Sequence, residues 1–254
     1  MSTASLMAHL VAYYPSKTES LEVARELVRG GASFLEVQFP FSDPTADGPT
    51  IQKASAAALE AGFRIEGGFE LVATVAAEHT PEHSSERTAT PPVFIMTYAS
   101  LVVAYGVERF AERAAGAGAA GLIVPDLPPD YDEGLYAAGS AAGLHVVPVL
   151  VPTASPERVA RALGTEPAYV YAALRAGTTG EATELGEENL SFLRRLREGG
   201  VHVIAGFGIR DRRQVEALME HTDTVVVGSA FVDAVARGMS VRALAENLVY
   251  GRGF

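Results

Sequence analysis

Three carboxylate side chains are concentrated between residues 36 and 47. Glu36 lies inside the apolar run Phe34–Gln38, which predicts a buried strand, and Asp43 and Asp47 lie in the loop that follows. Because an ionised carboxylate is costly to bury alone, Glu36 is predicted to be either an edge or ion-pair residue or a group with a chemical task. Two carboxylates across a small cavity would suit proton-transfer chemistry.

A second group of residues could bind an anion. Gly206-Phe207-Gly208 and Gly228-Ser229 each follow an apolar run, and the second pair precedes a helical stretch that is predicted to begin near Phe231. Glycine lets a backbone approach a ligand closely, and a helix N-terminus offers free N–H groups to a phosphate. The alternative is that these glycines only form tight turns. The pattern favours a phosphate site.

Short apolar runs alternate with amphipathic stretches along the chain, and eight of the runs are predicted strands. They are His9–Tyr13, Phe34–Gln38, Val93–Thr97, Gly121–Val124, His145–Val149, Ala168–Ala173, His202–Ala205 and Thr224–Val227. Eight strand–helix units and 254 residues indicate α/β architecture, a (β/α)₈ TIM barrel in one domain over residues 1–254. A doubly wound open sheet is the alternative. In a barrel, the active site is expected where the strands end at their carboxyl side.

The predicted helices fill the intervals between these strands. They are Ser20–Arg29, Thr50–Ala61, Val107–Ala117, Asp130–Ala142, Pro156–Leu163, Glu187–Glu198, Arg212–Glu220 and Val241–Tyr250, with an additional helix over Ile65–Ala77. The polar segment Thr80–Pro92 is predicted to be a surface loop.

Composition excludes several classes of function. The formal charge of −11 argues against a nucleic-acid surface, and the chain has no cysteine for a disulfide, a nucleophile or a thiolate metal site. No apolar stretch is long enough for a membrane helix and no signal peptide is evident, so a cytoplasmic location is expected.

Two routes to carbon–carbon cleavage also fit the sequence poorly. A Schiff-base aldolase needs a lysine on a strand, but Lys17 and Lys53 are both predicted to lie elsewhere. The six histidines show no paired spacing at strand ends, and His79 and His83 border the polar loop, so no metal site is expected. Carboxylate acid–base chemistry on a phosphorylated substrate is the interpretation that remains.

The same motifs resemble the α subunit of tryptophan synthase over about residues 10 to 250. The resemblance rests on Leu35-Glu36, Pro40–Pro44, Ala46–Gln52, Tyr98-Ala99, Val124–Pro129, Tyr171, Arg175, Gly177, Thr179-Gly180, Gly206–Ile209 and Gly228–Ala230. It implies a TIM barrel that cleaves indole-3-glycerol phosphate to indole and glyceraldehyde 3-phosphate by a retro-aldol reaction, without cofactor or metal. It also implies a possible β-subunit partner.

The resemblance assigns a role to individual residues. Glu36 would protonate the indole ring and could then take the glyceryl hydroxyl proton, Asp47 would bind the ring N–H, and Tyr171 would position the ring. Asp47 is expected to be the more exposed carboxylate and to stay ionised. The implied substrate contacts are Gln38, Met96, Tyr98, Thr179 and Phe207, and the implied phosphate contacts are Gly180, Gly208, Gly228 and Ser229.

Several positions depart from the family pattern. Gln38 stands where the family usually has glycine, Tyr13-Tyr14 stand where it has Gly-Asp, and Thr45 replaces the usual leucine of the loop that meets the β subunit. The family's helix before the first strand has no expected counterpart here. Three hypotheses follow: an indole-3-glycerol-phosphate lyase, alone or as an α subunit; a barrel lyase with another phosphorylated substrate; and a non-catalytic regulator of a β-type enzyme.

Overall fold

A computed structural model describes residues 4–78, 91–174, 186–206 and 208–251. Within these ranges the strands are β1 Leu6–Val11, β2 Phe34–Gln38, β3 Val93–Met96, β4 Gly121–Ile123, β5 His145–Val147, β6 Val149–Leu150, β7 Tyr169–Ala173, β8 His202–Gly206 and β9 Thr224–Val227. The helices are α1 Lys17–Arg29, α2 Pro49–Glu60, α3 Ile65–Glu78, α4 Ala99–Tyr105, α5 Val107–Gly116, α6 Leu135–Ala141, α7 Pro156–Gly164, α8 Glu187–Glu198, α9 Arg212–Met219, α10 Ser229–Ala236 and α11 Val241–Tyr250.

All strand pairings are parallel, in the order β5-β4-β3-β2-β1-β9-β8-β7-β6. The two ends of this order, β5 and β6, are consecutive in the chain and are separated by Pro148 alone. Proline has no N–H to donate to a ladder, so one predicted strand becomes two short segments. The Pro148 carbonyl still accepts from the N–H of Tyr171 at 3.0 Å. The predicted (β/α)₈ TIM barrel is confirmed.

Side chains alternate between the inside and the outside of the barrel. On β1, Leu6, Ala8 and Leu10 pack in the layer between sheet and helices, whereas Met7 belongs to the apolar cluster inside the barrel. This alternation follows from the period of two in a strand. It turns the next odd-numbered residue, His9, toward the interior.

Several predicted bounds differ from the structure, and the differences at the first strand and the fourth predicted helix, like the missed helix α4, have a local reason. The first strand begins at Leu6, which is in register with Val225, and it ends before Tyr13, whose φ of 67° is left-handed. The fourth predicted helix begins at Leu135 instead of Asp130, because the two residues before it have φ of 50° and 85°. Helix α4 was missed, since Gly106 with φ of 97° separates two short helices.

Gly121 gives the barrel a sharp packing constraint. A Cβ at this position would lie 2.2 Å from the His145 carbonyl oxygen and 2.7 Å from the Phe94 ring. We expect Gly121→Ala to lower the free energy of unfolding by about 2–3 kcal/mol, because the backbone at His145 must move to make room for the added methyl group. Gly116→Ala is the matched control: it has open space around it and should be neutral or slightly stabilising. Urea denaturation would measure both, and equal stabilities would contradict the prediction.

Candidate active site

The candidate site is a pocket at the carboxyl ends of the strands. It encloses about 600 Å³, a volume that includes solvent at its mouth. Its lining comprises His9, Glu36, Ala46, Asp47, Ile51, Met96, Ile123, Pro125, Val149, Tyr171, Gly208, Val226, Gly228 and Ser229. Seven of the predicted site residues are therefore brought together: Glu36, Asp47, Met96, Tyr171, Gly208, Gly228 and Ser229.

Glu36 lies in the middle of β2 and is only 4% exposed. Its Oε2 atom is 2.9 Å from Nδ1 of His9, which is also 4% exposed. The two residues meet because β1 and β2 pair in parallel with His9 directly opposite Glu36. Glu36 therefore has a hydrogen-bonded partner and faces a pocket, and its chemical task stays a prediction.

The pKa of His9 is shifted by opposing effects. Burial alone would lower it, but the hydrogen bond with Glu36 and the charges of Glu36 and Asp47 outweigh burial and raise it. The imidazole and the Glu36 side chain therefore form a buried, hydrogen-bonded pair. Sequence reasoning missed His9, although a histidine on the strand next to a buried glutamate is a signal that could have found it.

Asp47 is held by its own backbone as well as its side chain. Its N–H donates to the Pro44 carbonyl at 3.0 Å, and its carbonyl accepts from Nε2 of Gln52 at 2.8 Å. These bonds fix the loop between β2 and α2. They place the carboxylate inside the barrel mouth.

The expectation that Asp47 is exposed was wrong, because this residue is only 4% exposed. Its Oδ2 atom accepts from Nε2 of Gln38 at 2.6 Å and from the hydroxyl of Tyr98 at 2.9 Å. Burial raises the pKa of Asp47, with the Glu36 charge adding to this, while the charge of His9 and the two hydrogen bonds lower it. Two donors on one oxygen favour the carboxylate form.

Gln38 and Tyr98 support Asp47 from behind the pocket lining. Gln38 is fully buried and lies two residues after Glu36 on the same strand. Tyr98 is the N-cap residue of α4, and its ring stacks on Phe41. The Oε1 atom of Gln38 is buried without a hydrogen-bond partner among the described residues. These two predicted substrate contacts are therefore placed to orient Asp47.

Replacing Gln38 tests this arrangement. We expect Gln38→Gly to raise the pKa of Asp47 further, because the hydrogen bond from Nε2 lowers it. The variant also enlarges the space beside Glu36 and should change the KM for a ring-bearing substrate by about tenfold. Carbon-13 NMR titration of the aspartates and steady-state kinetics would measure the two effects. An unchanged KM and rate would show that Gln38 does not determine specificity.

Tyr171 closes another side of the pocket. Burial raises its pKa, and the charges of Glu36 and Asp47 raise it further, so its hydroxyl stays protonated and can donate. Its strand, β7, pairs with β6 beyond Pro148. The ring therefore lies opposite the two carboxylates, where it can contact a flat ligand.

The turn before α10 forms the end of the pocket where a phosphate is predicted to bind, here called the anion end. Gly228 precedes this helix and Ser229 is its first residue, so the helix begins two residues earlier than predicted. Gly208 has a φ of 80°, which glycine adopts without strain. The first N–H groups of a helix, here those of Ser229 and Ala230, have no acceptor within the helix and suit a phosphate, whereas the Phe231 N–H donates to the Gly228 carbonyl at 2.9 Å.

Several predicted residues lie outside the described residues. They are Arg175, Thr179, Gly180, Phe207, His79 and His83. Asp43, in contrast, is described and is exposed on the loop after β2. Among the residues that the structure describes, no group of three or more histidine and acidic side chains could hold a metal ion. In the same ranges no helix is long and apolar enough to cross a membrane.

Comparison with known proteins decides the family. The model of the family "Tryptophan synthase alpha chain" matches residues 1–250. The chain belongs to the tryptophan synthase alpha chain family. It is 38% identical over 228 residues to the tryptophan synthase alpha chain of Helicobacter hepaticus, covering 89% of this chain and 84% of the relative. The Mycobacterium marinum alpha chain is 35% identical over 250 residues, covering 98% and 89%.

Solved structures of tryptophan synthase share this fold. Tryptophan synthase from Mycobacterium tuberculosis superposes with a TM-score of 0.87 at 33% identity, covering 98% of this chain and 92% of the other. The tryptophan synthase complex from Pyrococcus furiosus gives a TM-score of 0.79 at 29% identity, covering 98% and 96%. This member of the alpha chain family thus spans nearly the whole length of its relatives.

Proposed function

We propose that this protein cleaves indole-3-glycerol phosphate to indole and glyceraldehyde 3-phosphate. The observation that carries the proposal is one pocket that holds two buried carboxylates, Glu36 and Asp47, beside the N-terminus of α10. The two carboxylates supply acid–base chemistry at a ring, and the helix N-terminus supplies N–H groups to a phosphate. Membership of the alpha chain family supports the same substrate.

The reaction divides between the two carboxylates. Glu36 donates a proton to the ring carbon that bears the glyceryl chain, which makes that carbon tetrahedral and places positive charge on the ring nitrogen. Asp47 accepts a hydrogen bond from the ring N–H and stabilises this charge. When the hydroxyl on the adjacent carbon loses its proton, the carbon–carbon bond breaks, its electron pair returns to the ring, and the aldehyde forms.

The remaining residues bind and orient the substrate. Met96, Ile123 and Val149 provide apolar contacts for the ring, and the hydroxyl of Tyr171 can donate a hydrogen bond. Gly208, Gly228 and Ser229 would hold the phosphate through backbone N–H groups. Thr179, Gly180 and Phe207 stay predictions for the ring and phosphate contacts. The described residues that line the pocket include no lysine or arginine, which fits recognition of the phosphate by backbone N–H groups.

A β-type subunit is the proposed partner. One structural relative is a tryptophan synthase complex, and the loop 41–45 together with α2 presents a shallow surface depression lined in part by Phe41, Pro44 and Thr45. Thr45, in place of the usual leucine, makes this surface more polar, which should weaken the association. A cytoplasmic location stays a prediction.

Indole release from indole-3-glycerol phosphate tests the function. The purified chain should give indole and glyceraldehyde 3-phosphate in equal amounts, and a tryptophan synthase β subunit should increase the rate if it binds. Fast release by the chain alone would identify a stand-alone lyase. No indole in either setting, with the folded protein confirmed by circular dichroism, would contradict the proposal.

A second candidate function keeps the pocket and changes the substrate. It is favoured by Gln38, whose amide fills the position of the family's glycine and occupies Asp47 Oδ2 at 2.6 Å. A competition experiment with other aryl or alkyl glycerol phosphates would separate the two. Tight binding of indole-3-glycerol phosphate with rapid turnover would exclude this alternative, and it would also exclude a purely regulatory role.

A further inference from the structure

We propose that His9 is a second catalytic residue, which accepts the glyceryl hydroxyl proton at Nε2 while Glu36 protonates the ring. This inference rests on the proposed function. The family resemblance gives both proton transfers to Glu36, whereas here they are divided between Glu36 and His9. It is carried by the position of the imidazole between Glu36 and the anion end of the pocket.

Nδ1 of His9 lies 2.9 Å from Glu36 Oε2, and the pairing of β1 with β2 fixes both side chains. A carboxylate oxygen accepts, so Nδ1 carries the hydrogen and donates to Oε2. The hydrogen bond leaves Nε2 as the nitrogen that faces other groups.

Nε2 of His9 is buried and has no hydrogen-bond partner among the described residues, although His9 lines the pocket. Buried polar atoms in proteins are almost always paired, so an unpaired one at a pocket indicates a ligand group that completes it. A neutral imidazole with its proton on Nδ1 offers a lone pair at Nε2, which suits a hydroxyl donor.

Gly228 lies beside the His9 side chain: a Cβ built on this glycine would lie 3.6 Å from Cβ and Cγ of His9 and 3.7 Å from Cδ2. The Cδ2 edge, which is bonded to Nε2, therefore lies on the side of the proposed phosphate site, whereas Nδ1 lies on the side of Glu36. In indole-3-glycerol phosphate the reacting hydroxyl is attached between the ring and the phosphate, which places it along this same line.

The protons balance across the pair. In the reactive form of the pair, the mobile proton is on the Glu36 oxygen that faces the ring, and His9 carries a hydrogen on Nδ1 only. The Glu36 proton moves to the ring carbon, the hydroxyl proton moves to Nε2, and the carbon–carbon electron pair returns to the ring. The pair ends as imidazolium and carboxylate, joined by the same Nδ1–H···Oε2 bond, and it carries the same number of protons as at the start.

Among the described residues, the titratable groups that line the pocket with His9 are Glu36 on β2, Asp47 before α2 and Tyr171 on β7, and the charges of Glu36 and Asp47 act on His9 directly. The active form of the pair carries one mobile proton. Loss of that proton removes the acid, and gain of another removes the base, so kcat should be bell-shaped in pH. Because the pKa of His9 is raised by Glu36, the alkaline limb should lie above the ordinary histidine value of about 6.5.

The test compares two His9 variants in the full chain. His9→Asn keeps an N–H that can donate to Glu36 but lacks Nε2, and His9→Gln places an amide near the position of Nε2 without a basic nitrogen. Both should lower kcat by about 10²-fold and move the alkaline limb toward lower pH by about one unit or more, with a smaller change in KM. The control is His145→Asn, because His145 is exposed at the opposite end of the barrel, at the start of β5.

The possible outcomes separate this inference from the function on which it rests. Loss of kcat with a shifted pH profile in either folded His9 variant supports the inference. An active wild type with His9 variants of nearly equal kcat and unchanged pH profile overturns it and leaves the proposed function standing. A wild type that releases no indole at any pH overturns both.

Discussion

Glu36→Gln should lower the kcat for indole release by about 10³-fold while the fold is retained. The amide has the shape of the carboxyl group and can still accept from Nδ1 of His9, so packing on β2 is preserved. It cannot supply a proton to carbon. Stopped-flow or steady-state indole assays, with circular dichroism as the check on folding, would measure the loss.

Glu70→Gln is the matched control for this variant. Glu70 is an exposed partner of Lys17, and exposed ion pairs contribute little to stability or to a distant pocket. Its kcat should equal that of the wild type. If Glu36→Gln instead kept most of the activity, Glu36 would not be the acid, and the pair with His9 would be an ion pair that only stabilises β1 and β2.

Asp47→Asn should lower kcat by about 10²-fold and raise thermal stability at neutral pH. The loss follows because a neutral amide cannot stabilise positive charge on the ring nitrogen. The gain follows because burial raises the pKa of Asp47, so the ionised form costs free energy in the folded state. A gain of about 1 kcal/mol would raise the Tm by about 2–4 °C in a chain of this size.

The difference in stability between the wild type and Asp47→Asn should change with pH in a defined direction. A carboxyl group whose pKa is raised on folding binds its proton more tightly in the folded state. Relative to Asp47→Asn, the wild type therefore loses stability as pH rises from the unfolded value of about 3.9 through the raised folded pKa. Below that range the two should converge.

Asp47→Ala separates the charge from the hydrogen bonds. It removes the acceptor of Gln38 and Tyr98, which leaves two buried donors without a partner and should lower stability by about 1–3 kcal/mol. Chemical denaturation at neutral pH compares the variants. If Asp47→Asn were no more stable than the wild type, the proposed cost of the buried charge would be wrong.

Much of the barrel could be predicted from local pattern. The bounds of β2, β9, α8 and α11 agree with the sequence interpretation to the residue. Continuous β-branched and apolar runs are typical of strands covered by helices, and these runs need no distant contact to be visible. Two of the wrong boundaries, the end of the first strand and the start of α6, lie near Tyr13 and Glu133, which adopt a positive φ that the sequence pattern does not indicate.

The candidate site divides in a similar way. Glu36, Asp47 and the pair Gly228-Ser229 are visible in the sequence, because a charge in an apolar run and glycines before a helix are local signals. The burial of Asp47, in contrast, cannot be predicted from the residues next to it in sequence. It arises because Gln38 and Tyr98, nine and fifty-one positions away in sequence, donate to the same oxygen.

The sequence by itself determined the fold class, the alpha chain resemblance and the end of the barrel that holds the chemistry, because these follow from periodicity and from contiguous motifs. Only the tertiary structure decided that His9 is bonded to Glu36 and that Gln38 supports Asp47. These contacts depend on parallel register between strands that are separated by helices. A shift of one residue in that register would turn His9 toward the helices and leave Glu36 without its partner.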